Sequence, residues 1–236
     1  MAKLAIIAVF KLETFGRTAT VSEICVNSDN SFDAAISGLR SELREMRISK
    51  LALRVAPAEV ERYAASGFEQ GDPYLRFSRA PAKSNMMPIL PLMNATQNEL
   101  PILSQLMYAA YAKTDNSFSD IHSAEALLRA IISGARGRYL SNASFASGAL
   151  PNLVSACLLT VDLPGEAEIA QLFTHSLYRA RGLATTEITA AMNQLAASGM
   201  GSLSAWNREG NDAVRRLLTK MGFRQDRAVV EMVVVV

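Results

Sequence analysis

The stretch "SLYRARGLATTE", residues 176–187, sets two arginines and a glycine directly before a run that is typical of a helix. A helix start needs only a capping residue, and extra positive charge at the already positive amino end of a helix is unfavourable. Arg179 and Arg181 therefore indicate an anion nearby. Gly182 has no Cβ, so the main chain there can approach a ligand closely. Because amides of the turn and the helix start would point at an anion, the stretch predicts a phosphate-binding turn, and a pyrophosphate would fit it.

The better-known phosphate motifs do not occur in this sequence. A P-loop needs Gly-Lys-Ser/Thr and the dinucleotide fingerprint needs three glycines, so nucleotide hydrolysis is disfavoured. Ser-His-Asp catalysis has no supporting Gly-x-Ser-x-Gly motif. The two histidines, His122 and His175, form no metal cluster with the spaced cysteines, so we expect no metal site. We expect His175 to lie on the surface.

The composition is that of an ordinary globular protein. The chain has 236 residues, of which 50% are hydrophobic, enough for one large domain or two small ones without disulfides or metals. The formal net charge is +2 and acids are interspersed with the basic residues, so no nucleic-acid surface is implied. Cys25 and Cys157 each stand in an apolar run that predicts a strand, and we expect inert buried thiols in a reducing cytoplasm.

The first residues, "MAKLAIIAVFKLE", have a lysine followed by seven apolar residues. The run is short, and Lys11 and Glu13 follow it directly, which disfavours a signal peptide. No segment approaches the roughly 20 apolar residues that span a bilayer. We therefore expect a soluble, cytoplasmic protein that does not bind a membrane.

Hydrophobic periodicity predicts alternating strands and helices. Before residue 84 the order is strand, strand, helix, strand, helix, strand, and the two first strands suggest a hairpin. "APAKSNMMP", residues 80–88, has two prolines and small polar residues, which are typical of a linker, so a boundary is predicted near Ser84. The second part has predicted strands over 87–92, 137–147, 152–162, 168–176, 201–206 and 227–236, and helices over 97–113, 123–133, 183–198 and 211–221.

A short repeat links the two parts of the chain. "SGFEQ" at residues 66–70 matches "MGFRQ" at residues 221–225. Upstream, Leu43 and Leu51 correspond to Leu195 and Leu203, and three extra residues in the second part account for the difference in spacing. The match runs through helix, strand, helix and strand, so the sequence predicts two related copies.

These residues resemble the GNAT superfamily of N-acyltransferases that depend on acyl-coenzyme A (acyl-CoA). Its signature is Arg or Gln, two residues, Gly, one residue, and Gly or Ala, and Arg179, Gly182 and Ala184 occupy those places. "THSLYRARGLA" and "WNREGNDAVRRLLTKMGF" are similar to the family's neighbouring segments. The resemblance implies an α/β (α+β) fold with a mixed central sheet flanked by helices. Residues 85–236 would form a complete domain, and residues 1–84 a degenerate partial copy in tandem with it.

The first copy lacks the phosphate turn. Where that turn would fall, residues 26–35 read "VNSDNSFDAA", with two aspartates and no arginine, so phosphate binding is not expected there. We expect this copy to pack on the second one and to shape its substrate cleft or to form the contact of a homodimer.

The resemblance implies acetyl-CoA as the donor and assigns residues to it. Main-chain amides of the turn would hold the pyrophosphate, the strand that ends at Thr174 would pair with the pantetheine arm, and Asn211 would contact the donor from the next helix. Trp206 would pack beside the acyl pocket or the core. The residues expected to bind the donor are Leu172, Phe173, Thr174, Arg179, Ala180, Arg181, Gly182, Leu183, Ala184, Thr185 and Asn211.

The resemblance also implies that an amine attacks the thioester carbonyl and must lose a proton. Glu168, eleven residues before Arg179, stands where some family members carry the base, and a carboxylate can accept the proton directly or through water. The alternative reading is an exposed strand-start glutamate without a role. Glu166 and Glu187 are weaker candidates for the base.

One position departs from the family pattern. Many relatives have a tyrosine four residues before the Gly of "GF", where it protonates the leaving thiolate, and this chain has Leu218 there. Another group or water could serve, the thiolate could leave without help, or this half is not a standard catalyst. Tyr63 occupies the matching place in the first copy.

Two classes of function follow from the sequence. The first is an N-acetyltransferase that moves an acetyl or other acyl group from CoA to a primary amine. A small-molecule amine is favoured as the acceptor, and a protein lysine or amino terminus is the alternative. The second is a non-catalytic acyl-CoA-binding sensor or interaction module. The acceptor would be selected by residues 111–125, "YAKTDNSFSDIHSAE", which are polar with a few aromatics and show no strong charge preference.

Overall fold

The computed structural model describes residues 8–15, 18–26, 32–112, 114, 117–163 and 165–236. These residues form two compact units. The first comprises Met1–Arg76, Asn207–Asp212 and Gln225–Val236, and the second comprises Phe77–Trp206 and Ala213–Arg224. The units interleave along the chain, and the single boundary near Ser84 stays a prediction. Residues 27–31, part of the segment expected to lack a phosphate turn, lie outside the described residues.

The first unit contains a mixed sheet. Its strands are β1 (Ala8–Phe15), β2 (Thr18–Val26), β3 (Lys50–Val55), β4 (Glu69–Arg79) and the carboxyl-terminal β11 (Arg224–Val235). The antiparallel pairing of β1 with β2 confirms the predicted hairpin. β3 runs parallel to β2 and antiparallel to β11, in the order β1-β2-β3-β11-β4. The last strand of the chain is therefore an inner strand of the first unit.

Two helices, α1 (Phe32–Glu45) and α2 (Val60–Ala65), pack on this sheet. α1 buries the apolar residues spaced three or four apart, which are Phe32, Ile36, Leu39 and Leu43. The ring of Tyr63 in α2 meets the rings of Phe32 and Phe68 edge-on, with centroids 4.9 and 5.5 Å apart. Burial raises the pKa of Tyr63 to about 12. The tyrosine that the sequence repeat aligns with Leu218 is therefore a core residue.

The second unit contains another mixed sheet. Its strands are β5 (Leu92–Asn94), β6 (Arg138–Tyr139), β7 (Phe145–Ala149), β8 (Asn152–Leu163), β9 (Glu166–Thr174) and β10 (Ser202–Arg208). β8 is antiparallel to β6, β7 and β9, β5 is antiparallel to β7, and β10 runs parallel to β9. The order is β10-β9-β8-β7-β5. The expected α/β fold with a mixed sheet is confirmed.

Helices cover both faces of the second sheet. They are α3 (Leu100–Tyr111), α4 (Ile121–Ile132), α5 (Leu183–Ala197) and α6 (Asp212–Lys220). α3 and α4 share a core with Ala156 and Phe173. α5 lies on the other face, because its Glu187 bonds to Ser155, and neighbouring side chains of a strand point to opposite faces. No helix in the described part of the chain is long and apolar enough to cross a membrane.

The structure differs from the sequence prediction at two of the predicted strands. The strand predicted over 87–92 is replaced by β5, which starts only at Leu92, because Pro88 and Pro91 have no amide hydrogen to donate to a ladder. The single strand predicted over 137–147 is wrong. It breaks into β6 and β7 at a turn in which the Ala143 amide donates to the Leu140 carbonyl at 3.0 Å.

A buried carboxyl group fixes the start of α5 on the sheet. Glu187, in the second turn of α5, is 0% exposed. Its Oε1 accepts a hydrogen bond from the Ser147 hydroxyl of β7 at 2.6 Å, and its Oε2 accepts one from the Ser155 hydroxyl of β8 at 3.0 Å. The Ser155 hydroxyl lies 2.8 Å from the hydroxyl of Thr174 at the end of β9. Burial raises the pKa of Glu187 to about 8, although both serine hydrogen bonds lower it.

The thiol of Cys157 lies in the same part of the core and is free and buried. Burial, together with the nearby Glu187 carboxyl, raises its pKa well above the ordinary value. Since the thiolate is the reactive form, Cys157 has the inert character expected from the sequence. The side chain of Cys25 lies outside the described part of the chain.

Glu187 should make the stability of the second unit depend on pH. The pKa rises from 4.5 to about 8 on folding, so between these values the folded protein binds more protons and its stability falls as pH rises. The limiting slope is about 1.4 kcal/mol per pH unit, and it ends above pH 8. We expect Glu187→Gln to flatten this slope, measured by urea unfolding with the fluorescence of Trp206, the single tryptophan.

The matched control is Glu42→Gln, the same substitution at an exposed glutamate of α1. It should keep the wild-type dependence on pH. Equal slopes for wild type and Glu187→Gln would contradict the assignment.

Candidate functional site

The candidate site lies where β9 ends and α5 begins. A 3-10 turn, Ser176–Tyr178, follows β9, and the half-buried His175 caps it by accepting a hydrogen bond from the Leu177 amide at 3.3 Å. The predicted surface position of His175 is therefore only partly correct. Gly182 precedes α5 with a φ of 80°, and Ala180 has a φ of 58°, so two residues of this turn are left-handed. Glycine adopts that conformation without strain, which accounts for Gly182.

The first turn of α5 presents amides that have no acceptor in the helix. The first four N–H groups of an α-helix lack such partners, and the ladder starts here with the Thr186 amide, which donates to the Gly182 carbonyl at 3.0 Å. No side chain in the described part of the chain caps this end of α5. The helix dipole adds partial positive charge. The amides of residues 182–185, which we call the amide turn, can therefore receive a phosphate group.

The two arginines of the turn have different environments. The Arg179 guanidinium donates to the carbonyl of Thr174 at 3.3 Å and to the carbonyl of Ala110 at the end of α3. The exposed Arg181 guanidinium lies over the Tyr178 ring, 5.2 Å from its centroid. Arg179 thus ties β9 to α3, and its charge is partly satisfied by main-chain carbonyls. Arg181 leaves positive charge at the surface near the turn.

β9 and β10 are paired over only part of their length. The ladder consists of Ser202 with Glu166, Leu203 with Ala167, and Ser204 with Glu168. β9 continues to Thr174 and stays paired with β8 on its other side, where Ala170 is an extra residue in a β-bulge between Ile169 and Gln171. A bulge bends and twists its strand. The main-chain edge of residues 172–174 that faces away from β8 is therefore outside the ladder with β10.

Glu168 is the last residue of β9 that pairs with β10. It is half-buried, and its cross-strand neighbours are Ser204 on β10 and Thr160 on β8. The Glu166 carboxylate accepts a hydrogen bond from the Ser204 hydroxyl at 3.0 Å, and Glu187 is enclosed on the other face of the sheet. Of the three glutamates considered from the sequence, Glu168 stands at the point where the strands part.

Tyr111, the first residue of the predicted acceptor segment, and Gln171, which the sequence did not indicate, lie beside the bulge. Tyr111, the last residue of α3, donates its hydroxyl to Gln171 Oε1 at 3.1 Å, and its ring meets Phe118 edge-on with centroids 5.5 Å apart. Burial raises the pKa of Tyr111. Gln171 pairs with Leu158 and shares its face of the sheet with Glu168. Residues 113, 115 and 116 of the predicted acceptor loop lie outside the described residues.

Two other predicted residues lie in different units. Asn211 belongs to the first unit, in the turn before α6, where its carbonyl accepts a hydrogen bond from Asn207 Nδ2 at 3.3 Å. Trp206 is half-buried and belongs to the second unit, which also contains residues 172–185. The role of Asn211 toward a donor stays a prediction.

Leu218 has no exposure at all and is part of the core. Its carbonyl accepts a hydrogen bond from the Phe223 amide at 3.0 Å, which closes α6 before Gly222. The position at which the GNAT resemblance expects a tyrosine therefore holds a core side chain with no proton to donate. Among the described residues, no three side chains of the types that bind metals come together.

The acetyltransferase (GNAT) family model matches residues 111–223. This segment contains the amide turn, β9 with its bulge, and the buried Leu218. A search among curated proteins gives no match.

Solved structures resemble the whole chain in fold. A GCN5-related N-acetyltransferase from Sphaerobacter thermophilus has a TM-score of 0.69 at 10% identity, over 97% of this chain and 76% of that one. A tandem GNAT protein from the clavulanic acid biosynthesis pathway, solved without acetyl-CoA, has a TM-score of 0.69 at 15% identity, over 100% of this chain and 81% of that one. A GCN5-related N-acetyltransferase from Kribbella flavida has a TM-score of 0.61 at 13% identity, over 91% of this chain and 80% of that one. Residues 111–223 therefore match the GNAT family model, and the chain shares the fold of these GNAT structures.

Proposed function

We propose that this chain transfers an acetyl or other acyl group from CoA to the primary amine of a small molecule. The observation that carries the proposal is the combination of an uncapped amide turn at α5 with a bulged β9 that parts from β10 after Glu168. The first feature suits the pyrophosphate of CoA and the second suits its extended pantetheine arm. A cytoplasmic location, a homodimer and a degenerate first copy stay predictions.

The donor would be held mainly by the main chain. Amides of residues 179–185 would bind the pyrophosphate, and the edge of residues 172–174 would pair with the pantetheine arm. Arg179 would act by holding the turn in place, since its guanidinium already bonds to the carbonyls of Thr174 and Ala110. Arg181 would add attraction for an outer phosphate. Bound acetyl-CoA supplies an activated thioester.

The chain's own residues would manage protons and charge. The amine nitrogen bonds to the acyl carbon, Glu168 takes its proton directly or through one water, and the carbon–sulfur bond breaks with its electron pair going to sulfur. A main-chain amide at the Ala170 bulge would stabilise negative charge on the carbonyl oxygen. Because Leu218 cannot protonate the thiolate, water or another group would do so, or the thiolate would leave unaided.

A non-catalytic module that binds acyl-CoA is the second candidate, and the buried Leu218 favours it. The two are separated by calorimetry with acetyl-CoA followed by thiol release with a panel of small amines and lysine peptides. Binding followed by release with small amines supports the enzyme. Binding without turnover on every acceptor supports the module, and turnover only on peptides corrects the substrate class.

Gly182→Ala should weaken acetyl-CoA binding by about tenfold or more, equivalent to ~1.4 kcal/mol. The new Cβ would be strained at a φ of +80°, and the amide turn would shift to relieve that strain. The Cβ would also lie 2.8 Å from Ile89 Cδ1, the end of a flexible side chain that can move aside. Titration calorimetry gives the dissociation constant.

Gly199→Ala is the matched control for this variant. Gly199 also has a positive φ, +71°, but a Cβ there meets nothing within 4 Å, and it follows the opposite end of α5. This control should lose stability, by about 1–2 kcal/mol, without losing affinity for the donor. Equal affinity of Gly182→Ala and wild type would contradict the role of the turn.

Glu168→Gln should lower the rate of acyl transfer by roughly 10²- to 10⁴-fold, because the amide cannot accept the proton. Its affinity for acetyl-CoA should change little. Thiol release gives the rate and calorimetry the affinity. Glu166→Gln, two residues earlier on the same strand, serves as control and should retain most activity; an unchanged rate in Glu168→Gln would exclude this residue as the base.

A further inference from the structure

The segment before β5 is anchored to α5 at one point by two hydrogen bonds. The Ser84 amide donates to Asn193 Oδ1 at 2.7 Å, and Asn193 Nδ2 donates to the Ser84 carbonyl at 2.9 Å. Both main-chain groups of Ser84 are therefore held by one side chain. We call residues 84–89 the strap.

The other end of the strap lies on Gly182. A Cβ built on Gly182 would be 2.8 Å from Ile89 Cδ1, so that methyl group occupies the space beside the glycine α-carbon. From Asn193 to Gly182 the helix axis covers about 16 Å at 1.5 Å per residue. Five extended residues, from Ser84 to Ile89, also cover about 16 Å. The strap is therefore long enough to reach from its contact in the third turn of α5 to its contact at the start of the helix.

The strap places apolar side chains in solvent near the amide turn. Ile89 is 55% exposed and Met87 is 81% exposed, and Leu177 in the preceding 3-10 turn is 72% exposed. Burying them against an apolar part of a ligand would be favourable. Uncapped amides with an apolar neighbour suit a phosphorylated ligand that also carries apolar groups, which is the chemistry of a nucleotide-linked thioester.

We propose that the strap is part of the donor site, with Ile89 forming an apolar wall beside the amide turn and Asn193 holding it there. By excluding water from one side of the turn, Ile89 strengthens the attraction between the amides and a phosphate, since that attraction grows as the local dielectric falls. Asn193 is a positioning residue, about 16 Å from the turn along the helix, and acts only through the strap. This inference rests on the proposed function.

Calorimetry with acetyl-CoA on the full chain tests the strap. We expect Ile89→Ala and Asn193→Ala each to weaken binding about three- to tenfold, and the double variant to be no weaker than the weaker single one, because both remove the same contact. Ile89→Val should bind nearly as wild type. Gln194→Ala, an exposed neighbour on the same helix, is the control for Asn193→Ala and should leave affinity unchanged.

The outcomes separate the strap from the proposed function. If the wild type binds acetyl-CoA and Asn193→Ala binds it with the same affinity, the strap proposal alone is overturned. Tighter binding of acetyl-CoA by Ile89→Ala also overturns the strap proposal, because it shows that the strap covers the site. Additive losses in the double variant overturn the action of Asn193 through Ile89. No binding by the wild type overturns the proposed function, and the strap proposal with it. Urea unfolding followed by Trp206 fluorescence verifies that each variant is folded.

Discussion

Strand β9 is paired with β8 along its length but with β10 only as far as Glu168. Main-chain N–H and C=O groups of a buried strand need partners, so a strand that leaves its neighbour must find others. The extra residue Ala170 bends β9 at this point. The position of Glu168, the open edge of residues 172–174 and the direction in which the chain enters the turn at residue 175 all follow from this one change of pairing.

The turn after β9 combines a fixed frame with free donors. Arg179 bonds to carbonyls of β9 and α3, and the buried Glu187 bonds to serines of β7 and β8, so both ends of the turn are attached to the second sheet. The amides at the start of α5 have no such partners in the described structure. Because the frame uses side chains and leaves the amides without acceptors, the proposed phosphate would bind without reorganisation of the turn.

Tyr63 and Leu218, which the sequence repeat places at matching positions, are both core residues. Tyr63 packs among Phe32 and Phe68, and Leu218 is fully enclosed near the end of α6. Neither side chain is available to protonate a thiolate in its own unit. The position at which the GNAT resemblance expects an acid therefore has no proton donor, and the proposed acyl transfer would depend on Glu168 and on water or another group.

The sequence by itself determined the helices, most strands, and the turn before α5 with its glycine. These depend on local properties: apolar spacing sets the buried face of a helix, and a left-handed turn requires a residue without Cβ. Only the tertiary structure decided the bulge at Ala170, the contact of Tyr111 with Gln171 and the hydrogen bond from Arg179 to the Ala110 carbonyl. It also decided the place of the last strand in the first unit and the contact of the strap with α5. Each of these features joins residues that are far apart in sequence. Packing and the need to satisfy polar groups determine which residues meet, and a linear pattern does not encode those contacts.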